Sequence, residues 1–539
     1  MKIIIVGGVA GGMSTATRLR RLDERAEILV VERSGHVSFA NCGLPYHVGG
    51  VIEDRSALLL QTPQSLAARF GIEVRVATEV TGIDKESRTV ELKNLANGSV
   101  ATHTYDFLVL SPGARPVRPP IPGIERALSL RDIEDTDAMV DAVAGARTAV
   151  VIGGGFIGLE VAENLHHKGI ATTIVEAADQ VMAPLDPEMV APVHTALREA
   201  GIDLRLGSGV SSIGADNVVL ADGSTVPADV VVAAIGVKPD VTLAKAAGLI
   251  IGERGGIQVD DSHLTSDPHI YAVGDAVEKK DALDGSATLV PLANTANLQG
   301  RRVADHIAGQ RGTGRPVLGT AIVGLLGLQI ATTGWNGKRL RAAGRSFRAI
   351  HTHPMSHAGY YPGAQQMALK LLVDGETGEI LGAQGVGREG VDRRIDVIAT
   401  AMAGGLKAAQ LADLELAYAP AFSSAKDPVN MLGYIADNLA ESTTDTIQWH
   451  ELDAALAAGA HLIDVRTPEE FQRGAIPGAI NVPVDELRSR QSELPDGDLI
   501  VHCAVGQRGH TAARLLTQLG REVRNLDGGY RTWVAGTGR

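Results

Sequence analysis

The stretch that decides the fold is TAVVIGGGFIG at residues 148–158, an apolar run that meets three consecutive glycines. A strand, a glycine-rich turn and a helix in this order allow the backbone and the helix N-terminus to approach a pyrophosphate closely. The motif is complete, with Gly153, Gly155 and Gly158, and Glu176 ends the next apolar run, where a carboxylate can bind a ribose diol. This stretch therefore predicts a dinucleotide-binding βαβ unit.

The same pattern occurs at the start of the chain. Residues 3–12 read IIIVGGVAGG and Glu32 follows at the expected distance, although Val9 stands where the middle glycine is usual. Two such units, each with an acidic partner, disfavour the alternative of glycine-rich turns in an unrelated α/β protein. Because the acid at Glu176 would repel a 2′-phosphate, NADH is favoured over NADPH.

Length and composition restrict the class of protein. The chain has 539 residues, too many for one domain, and a formal net charge of -13 without a basic tract, so nucleic-acid binding is not expected. No apolar run is long enough to span a bilayer, and the run at residues 3–6 meets glycines too early for a signal peptide. These features predict a cytoplasmic protein of several domains.

Only two cysteines occur, Cys42 and Cys503. A disulfide between them is possible in principle, but a chain of this size does not need one, and their unrelated loops favour two separate reactive thiols. Neither has metal-ligand spacing around it. No carboxylate or cysteine cluster completes a site with His351, His353 and His357, so we expect solvated or packing histidines and no metal.

A further motif distinguishes the two dinucleotides. TSDPHIYAVGD at residues 265–275 resembles the second FAD-binding motif of flavoprotein reductases that bind two dinucleotides. The resemblance implies that Asp275 bonds the ribityl chain of FAD, that FAD occupies the first βαβ unit and that NADH occupies the second. The implied FAD-binding residues are Gly7, Gly8, Ala10, Gly11, Glu32, Arg33, Asn41, Gly274, Asp275 and Ala293, and the implied NADH-binding residues are Gly153, Gly155, Phe156, Ile157, Glu176 and Gly236.

The segment SFANCGLPY at residues 38–46 places Cys42 shortly after Glu32. Glutathione-reductase-like enzymes carry two cysteines here, whereas this chain has one. A lone thiolate cannot form an internal disulfide, so its oxidised form must be a sulfenic acid or a mixed disulfide with an external thiol. Pro45 suits a helix start, whose partial positive charge would favour the thiolate. The alternative is a buried, inert cysteine.

With the GGVAGG loop, this segment resembles the coenzyme A (CoA) disulfide reductase and persulfide reductase group, and the resemblance extends over residues 1–435. It implies that Cys42 alternates between a thiolate and a mixed disulfide with CoA. Arg18 and Arg21 lie about one helical turn apart and suit the phosphates of CoA, with a solvated helix face as the alternative. The implied CoA-binding residues are Ser14, Arg18, Arg21, Ser38, Asn41, Cys42, Asn297 and Lys426.

Residues 317–435 resemble the α+β dimerisation domain of the same reductases. The resemblance implies a homodimer in which Tyr360 and Tyr418 reach the cysteine of the other subunit and stabilise or protonate the departing CoA thiolate. Tyr361 is the second candidate for the role of Tyr360. The alternative is that these tyrosines are half-buried packing residues.

After a polar linker predicted at 436–447, residues 448–539 carry motifs of their own. The segments that resemble a rhodanese (sulfurtransferase) domain are DVRTPEEF at 464–471, GAIPGAINVP at 474–483 and HCAVGQRG at 502–509. They imply catalysis by Cys503, whose persulfide would be held by loop N–H groups, with Arg508 adding charge. A phosphatase loop has similar spacing, and an inactive rhodanese fold is a further alternative, but the flanking segments favour sulfur chemistry.

These patterns and resemblances predict an α/β protein with two Rossmann-like dinucleotide-binding domains, an α+β dimerisation domain and a C-terminal α/β rhodanese domain. The FAD-binding domain is expected at 1–112 and 240–316, and the NADH-binding domain at 113–239. The implied function is FAD-dependent, NADH-driven reduction of CoA persulfide, polysulfide or CoA disulfide through Cys42, with Cys503 handling sulfane sulfur. Two alternatives stay open: an NADH oxidase that uses a Cys42 sulfenic acid, and a redox or sulfur sensor with low turnover.

Overall fold

The computed structural model describes residues 1–310, 312 and 314–539. The chain separates into two compact units. The first unit comprises Met1–Val181 and Gly201–Gly319, and the second comprises Met182–Ala200 and Thr320–Arg539. The predicted FAD-binding segment 240–316 includes residues 311 and 313, which lie outside the described residues.

A parallel five-stranded sheet carries the first glycine-rich turn. Its central strand is buried on both faces, since Ile3 and Ile5 pack into one apolar cluster and Ile4 into another. Helix Ala10–Leu22 follows this strand and packs against helix Ala293–Ile307. In spatial order the strands are Ile270–Ala272, Phe107–Leu110, Lys2–Val6, Glu27–Val31 and Glu73–Arg75.

A parallel four-stranded sheet in the same unit carries the second glycine-rich turn. Its strands are Asp203–Arg205, Ala171–Val175, Thr148–Ile152 and Val230–Ala233 in spatial order. Helix Phe156–His167 follows the third of these and contacts helix Leu44–Val48, which comes directly after Cys42. The helix of the second βαβ unit is therefore a neighbour of the cysteine loop.

Smaller elements complete the first unit. Two antiparallel three-stranded sheets contain Thr78–Asp84, Thr89–Asn94 and Val100–Thr104, and Val210–Ile213, Asn217–Leu220 and Thr225–Pro227. Two strand pairs are Ala114–Pro116 with Val237–Pro239, and Lys279–Lys280 with Ala287–Thr288. The other helices are Pro63–Phe70, Ile133–Val143 and Thr242–Ala246, and the 3₁₀ turns are Asn41–Gly43, Arg55–Leu58, Ile124–Arg126 and Gly274–Ala276.

The second unit begins with an antiparallel five-stranded sheet. Its strands are Ala321–Leu325, Leu328–Gly334, Ile380–Gly387, Met367–Val373 and Arg348–Thr352 in spatial order. Its helices are Gly337–Ala342, Val391–Ala403 and Pro428–Ala440, with a 3₁₀ turn at Ala408–Asp413.

Helix Pro187–Glu199 departs from the predicted segmentation. It falls inside the predicted NADH-binding segment 113–239 but belongs to the second unit, where it contacts strand Ile380–Gly387. The reason is a set of buried ion pairs, because Lys370 bonds the carboxylates of both Asp186 and Glu188. The loop expected at 436–447 is also shorter, since Ala436 packs into the apolar core and helix Pro428–Ala440 continues into this stretch.

A parallel five-stranded sheet forms the C-terminal part of the second unit. Its strands are Thr446–Ile447, Val523–Leu526, Leu499–His502, His461–Asp464 and Ile480–Asn481 in spatial order. Its helices are Leu452–Ala457, Pro468–Gln472, Leu487–Arg490, Gln507–Gln518 and Gly529–Thr537, with a 3₁₀ turn at Gln491–Glu493. Within the described part of the chain, no helix is long and apolar enough to cross a membrane.

Candidate active site

The two glycine-rich turns have the same close packing between turn and helix. A Cβ atom on Gly12 would lie 1.9 Å from the carbonyl oxygen of Gly7, and one on Gly158 would lie 2.0 Å from that of Gly153. Only glycine fits at these two helix positions. At Gly155, by contrast, a Cβ would have no atom within 4 Å among the described residues, which leaves open space beside the turn.

Each turn is held by the acid that ends the next strand. Glu32 accepts the N–H of Gly8 at 2.7 Å, and Glu176 accepts the N–H of Gly154 at 2.7 Å. Burial raises the pKa of Glu32. At both places the close-packed turn, the helix N-terminus and a fixed carboxylate fit the pyrophosphate and ribose of a dinucleotide, and at the second the turn is also open beside Gly155.

The motif at 265–275 ends in a buried loop beside the first sheet. The N–H of Gly274 donates to Gln299 at 2.8 Å, and Lys279 donates to the carbonyl oxygen of Gly274 at 2.9 Å. Burial raises the pKa of Asp275. Gly274, Asp275 and Ala293, the first residue of helix Ala293–Ile307, lie near the first glycine-rich turn because that helix packs on helix Ala10–Leu22. This placement fits the predicted FAD site.

Cys42 lies in the 3₁₀ turn Asn41–Gly43 and is exposed, so it is not a buried, inert thiol. Desolvation and then the charges of Glu160 and Asp275 raise the pKa of its thiol. This direction is opposite to the one expected from the helix start at Pro45, because desolvation, together with the two carboxylates, outweighs the terminus of a helix of one turn.

Glu160 is a site residue that the motifs did not single out. Tyr46 donates a hydrogen bond to its carboxylate at 3.3 Å, and burial raises the pKa of Glu160 to about 6. Burial and the same carboxylate raise the pKa of Tyr46 to about 12. The available signal was its position two residues after Gly158, on the helix that the second glycine-rich turn begins.

An open cavity of about 490 Å³ lies between helices Ala10–Leu22 and Ala293–Ile307. Among the described residues, its lining is Ser14, Thr17, Arg18, Arg21, Asn294, Asn297, Leu298 and Arg301. The structure therefore brings together four of the implied CoA contacts: Ser14, Arg18, Arg21 and Asn297. The Ser14 hydroxyl donates to Asn297 at 2.6 Å, and Arg18 bonds Asp305 at 2.7 Å.

The other implied CoA contacts are placed elsewhere. Ser38, Asn41 and Cys42 belong to the cysteine segment of the first unit, and Ser38 has a positive φ of 50° with its N–H bonded to the carbonyl of Gly8 at 2.7 Å. Lys426 is exposed in the second unit. Arg301 lines the cavity but was missed, although it follows Asn297 by four residues, the spacing that brings two side chains to one helix face.

The three tyrosines lie on exposed loops of the second unit. The hydroxyl groups of Tyr360 and Tyr418 are 2.9 Å apart, and this hydrogen bond raises the pKa of Tyr360. Tyr360 is 76% exposed and Tyr418 is 48% exposed in the single chain. Tyr361 is exposed as well, and its ring meets that of His357 edge-on with centroids 5.6 Å apart.

Cys503 is buried at the end of strand Leu499–His502, and helix Gln507–Gln518 begins four residues later. The N–H of Tyr530 donates to the Cys503 carbonyl at 2.8 Å, which holds the loop from behind. Arg508 forms two bonds of 2.7 Å to the carboxylate of Glu470. Glu470 lies in the segment DVRTPEEF, but the sequence predicts no role for it, because a separation of 38 residues does not relate it to Arg508.

The three histidines considered for a metal lie in the second unit, where His351 and His357 are buried and His353 is partly buried. His351 bonds Asp527 through Nδ1 at 2.6 Å and Glu188 through Nε2 at 2.9 Å. His353 bonds the hydroxyl of Thr532 at 2.8 Å. Of the two expected alternatives, solvated or packing histidines, His351 and His353 are packing residues, since both contact the C-terminal α/β part. No group of three or more potential metal ligands occurs in the described ranges.

Comparisons with known proteins match three families along the chain. Residues 1–300 match the pyridine nucleotide-disulphide oxidoreductase family, residues 320–428 match the dimerisation domain of that family, and residues 448–536 match the rhodanese-like domain. The coenzyme A disulfide reductase of Staphylococcus epidermidis is 33% identical over 438 residues, which is 81% of this chain and 99% of that protein.

Two solved structures extend the likeness over the C-terminal part. The crystal structure of reduced Bacillus anthracis CoADR-RHD is 47% identical with a TM-score of 0.98, and the match covers 100% of this chain and 98% of the other. The structure of a NAD-dependent persulfide reductase from A. fulgidus is 38% identical with a TM-score of 0.93, over 99% and 100%.

These findings confirm the predicted fold class, the resemblance to this group of reductases, and the prediction of an FAD- and NAD-dependent oxidoreductase. The chain belongs to the pyridine nucleotide-disulphide oxidoreductase family and carries, after the dimerisation domain, a rhodanese-like domain.

Proposed function

We propose that this chain is an NADH-driven, FAD-dependent reductase of CoA persulfide, polysulfide or CoA disulfide that works through Cys42. In this proposal FAD binds residues 1–112 with 240–316, NADH binds residues 113–239, and Cys503 of the rhodanese domain handles sulfane sulfur. Support comes from the relatives, two of which are named for CoA disulfide and for persulfide reduction.

The observation that carries the CoA part is the cavity between the two helices. Three arginines, Arg18, Arg21 and Arg301, face it together with small polar side chains. CoA carries several phosphate charges, and guanidinium groups bind phosphates with paired hydrogen bonds. The Asp305 carboxylate lies 2.7 Å from the guanidinium of Arg18 and 3.9 Å from that of Arg301. These contacts hold both arginine side chains at the cavity in the absence of a ligand.

Cys42 is the proposed nucleophile. Its thiolate attacks the CoA-bearing sulfur of CoA–S–SH, which releases HS⁻ and leaves Cys42–S–S–CoA; with CoA disulfide the departing group is the CoA thiolate. FAD held by residues 1–112 with 240–316 would supply the transfer of two electrons from NADH that reduces this mixed disulfide. Burial raises the pKa of Glu160 to about 6, and its charge acts on Cys42, so this carboxylate is suited to take up the thiol proton and to return it.

The dimerisation-domain match supports a homodimer. In it, Tyr360 of the partner subunit and Tyr418 of the partner subunit would stabilise or protonate the departing CoA thiolate. The hydrogen bond between the two hydroxyls leaves one of them free to donate outward, which a neutral phenol can do at pH 7.

Anaerobic NADH consumption by the purified protein tests the proposal. Turnover is expected with CoA persulfide, with sulfide released, or with CoA disulfide. Cys42→Ser should abolish it and keep the visible flavin absorbance, because serine cannot form the mixed disulfide. Turnover by that variant contradicts the role of Cys42, and NADH consumption that requires oxygen in place of CoA substrates supports the oxidase alternative. The absence of continuous NADH consumption with all of them contradicts the reductase and supports the sensor alternative.

A further inference from the structure

The loop that presents Cys503 contains a single cationic side chain. Between Cys503 and Arg508 the sequence is Ala504-Val505-Gly506-Gln507, which has no charge. Main-chain N–H groups of such a loop, together with the N-terminus of helix Gln507–Gln518, can hold one negative charge. Whether the loop can hold more than one negative charge therefore depends on whether another residue balances the positive charge of Arg508.

Glu470 neutralises Arg508. Both carboxylate oxygens of Glu470 bond the guanidinium at 2.7 Å, and Oε2 also accepts the N–H of Thr467 at 3.0 Å. The Thr467 hydroxyl in turn accepts the N–H of Glu470 at 3.3 Å, which fixes the first turn of helix Pro468–Gln472. The bond from Arg508 holds the pKa of Glu470 at about 2, so Glu470 is ionised at neutral pH.

The other cations near the loop are engaged or peripheral. Arg466 bonds the buried Asp464 at 2.6 Å and stacks on the ring of Tyr530, 4.2 Å from its centroid. Arg531 donates its backbone N–H to the carbonyl oxygen of Ala504. Its side chain is exposed, and its charge adds to the effect of burial in lowering the pKa of His353. The positive charge of Arg508 is therefore balanced by the carboxylate of Glu470, which is held in place by Thr467.

We propose that Glu470 makes Cys503 selective for sulfur donors of low charge, the thiol persulfides, against dianionic donors such as thiosulfate. This inference rests on the proposed sulfurtransferase role of Cys503. The Cys503 thiolate attacks the outer sulfur of R–S–SH, the S–S bond of the donor breaks, and the proton stays with the departing thiol: Cys503–S⁻ + R–S–SH gives Cys503–S–S⁻ + R–SH. With thiosulfate, the dianion and the thiolate would bring three negative charges to the loop, whereas the protonated –S–SH group that reacts in a persulfide adds none to the single charge of the thiolate.

Glu470→Gln tests the inference, because glutamine keeps the shape and the acceptor for Thr467 but removes the charge. Sulfur transfer to cyanide is measured as thiocyanate formed by the full-length protein, with thiosulfate and with glutathione persulfide as donors. The wild-type protein should prefer the persulfide. The variant should gain about five- to tenfold in kcat/KM for thiosulfate, mainly through a lower KM, with the persulfide value changed less than about twofold.

Glu469→Gln is the matched control, since it removes the same charge from the exposed preceding residue, and it should leave the donor preference as in the wild type. Glu470→Asp keeps the charge and should also keep that preference. An unchanged donor ratio in Glu470→Gln, or a wild-type preference for thiosulfate, overturns the role of Glu470. Equal, background-level transfer by the wild-type protein and Cys503→Ser with both donors overturns the sulfurtransferase role itself.

Discussion

At Cys42 the protein by itself disfavours the thiolate, the form of the thiol that attacks a disulfide. The charge of Glu160 contributes to this, and Glu160 has a pKa raised to about 6. Above that pH the carboxylate is ionised and opposes ionisation of the thiol, whereas a protonated Glu160 does not. Proton uptake by Glu160 and thiolate formation at Cys42 are therefore coupled.

Glu160→Gln should lower the pKa of Cys42, because it removes a like charge that is present wherever the thiol titrates. The rate of alkylation by iodoacetamide, followed against pH in a Cys503→Ser background, measures this. Tyr46→Phe is the control, since a phenol with a pKa of about 12 is neutral throughout the assay. A midpoint at or above that of the parent protein would contradict the coupling.

At the scale of single residues, the resemblance grouped side chains that the structure brings together. Ser14, Arg18, Arg21 and Asn297 line one cavity although Asn297 is 283 residues from Ser14, and only the resemblance could pair them. Arg508 and Glu470 show the limit. Each lies in a quoted motif, but the contact between them depends on how two helices approach, which no periodicity encodes.

At the scale of elements, the glycine at the start of each βαβ helix decides whether the turn can close. Gly158→Ala should destabilise the first unit by about 2 kcal/mol or more, because its Cβ would lie 2.0 Å from the Gly153 carbonyl oxygen. Thermal unfolding followed by flavin fluorescence, together with NADH affinity, measures the effect.

Gly155→Ala is the matched control for that prediction. Its φ of -80° is open to alanine, and in the described structure its Cβ would have no atom within 4 Å. The fold should keep its stability within about 0.5 kcal/mol. NADH affinity should fall, since the methyl group would stand where the pyrophosphate is proposed to lie. Equal stability of the two variants would contradict the packing argument.

The repeated pattern of strand, turn and helix predicted both βαβ units, because buried strands and tight glycine turns are local properties of the chain. Helix Pro187–Glu199 was not predictable in the same way. Its sequence is that of an ordinary helix between two strands, yet it packs in the second unit through Asp186 and Glu188, whose partner Lys370 lies more than 180 residues away. Long-range ion pairs leave no periodic signal.

At the scale of the whole chain, one buried network joins three separate segments of the second unit. Three carboxylates, Asp186, Glu188 and Asp527, surround Lys370 and His351. Asp527 directly precedes the segment Gly528–Tyr530 that holds the Cys503 loop, so the network connects helix Pro187–Glu199 and the antiparallel sheet to the rhodanese domain. Both ring nitrogens of His351 face a carboxylate, which requires the imidazolium form.

His351→Gln should destabilise the second unit most between about pH 5 and pH 6.5, by about 3 kcal/mol. Although burial opposes it, the Asp527 carboxylate raises the pKa of His351 above its ordinary 6.5. The contribution of His351 to the free energy of unfolding is therefore complete below pH 6.5 and is lost as the pH rises through the raised pKa. His351 and Lys370 lower the pKa of Glu188, so that contribution is complete above 4.5 and is lost as the pH falls. Because Trp335, Trp449 and Trp533 all lie in the second unit, tryptophan fluorescence follows its unfolding.

His353→Gln provides a control of opposite sign. Burial lowers the pKa of His353 to about 3, so its neutral form costs stability when the unfolded chain begins to bind a proton, below pH 6.5. In His353→Gln the free energy of unfolding should fall less steeply as the pH drops below 6.5. In His351→Gln it should fall less steeply as the pH rises above 6.5. If both variants changed the stability on the same side of pH 6.5, His351 would not be an imidazolium between Glu188 and Asp527. The two histidines would then be equivalent packing residues.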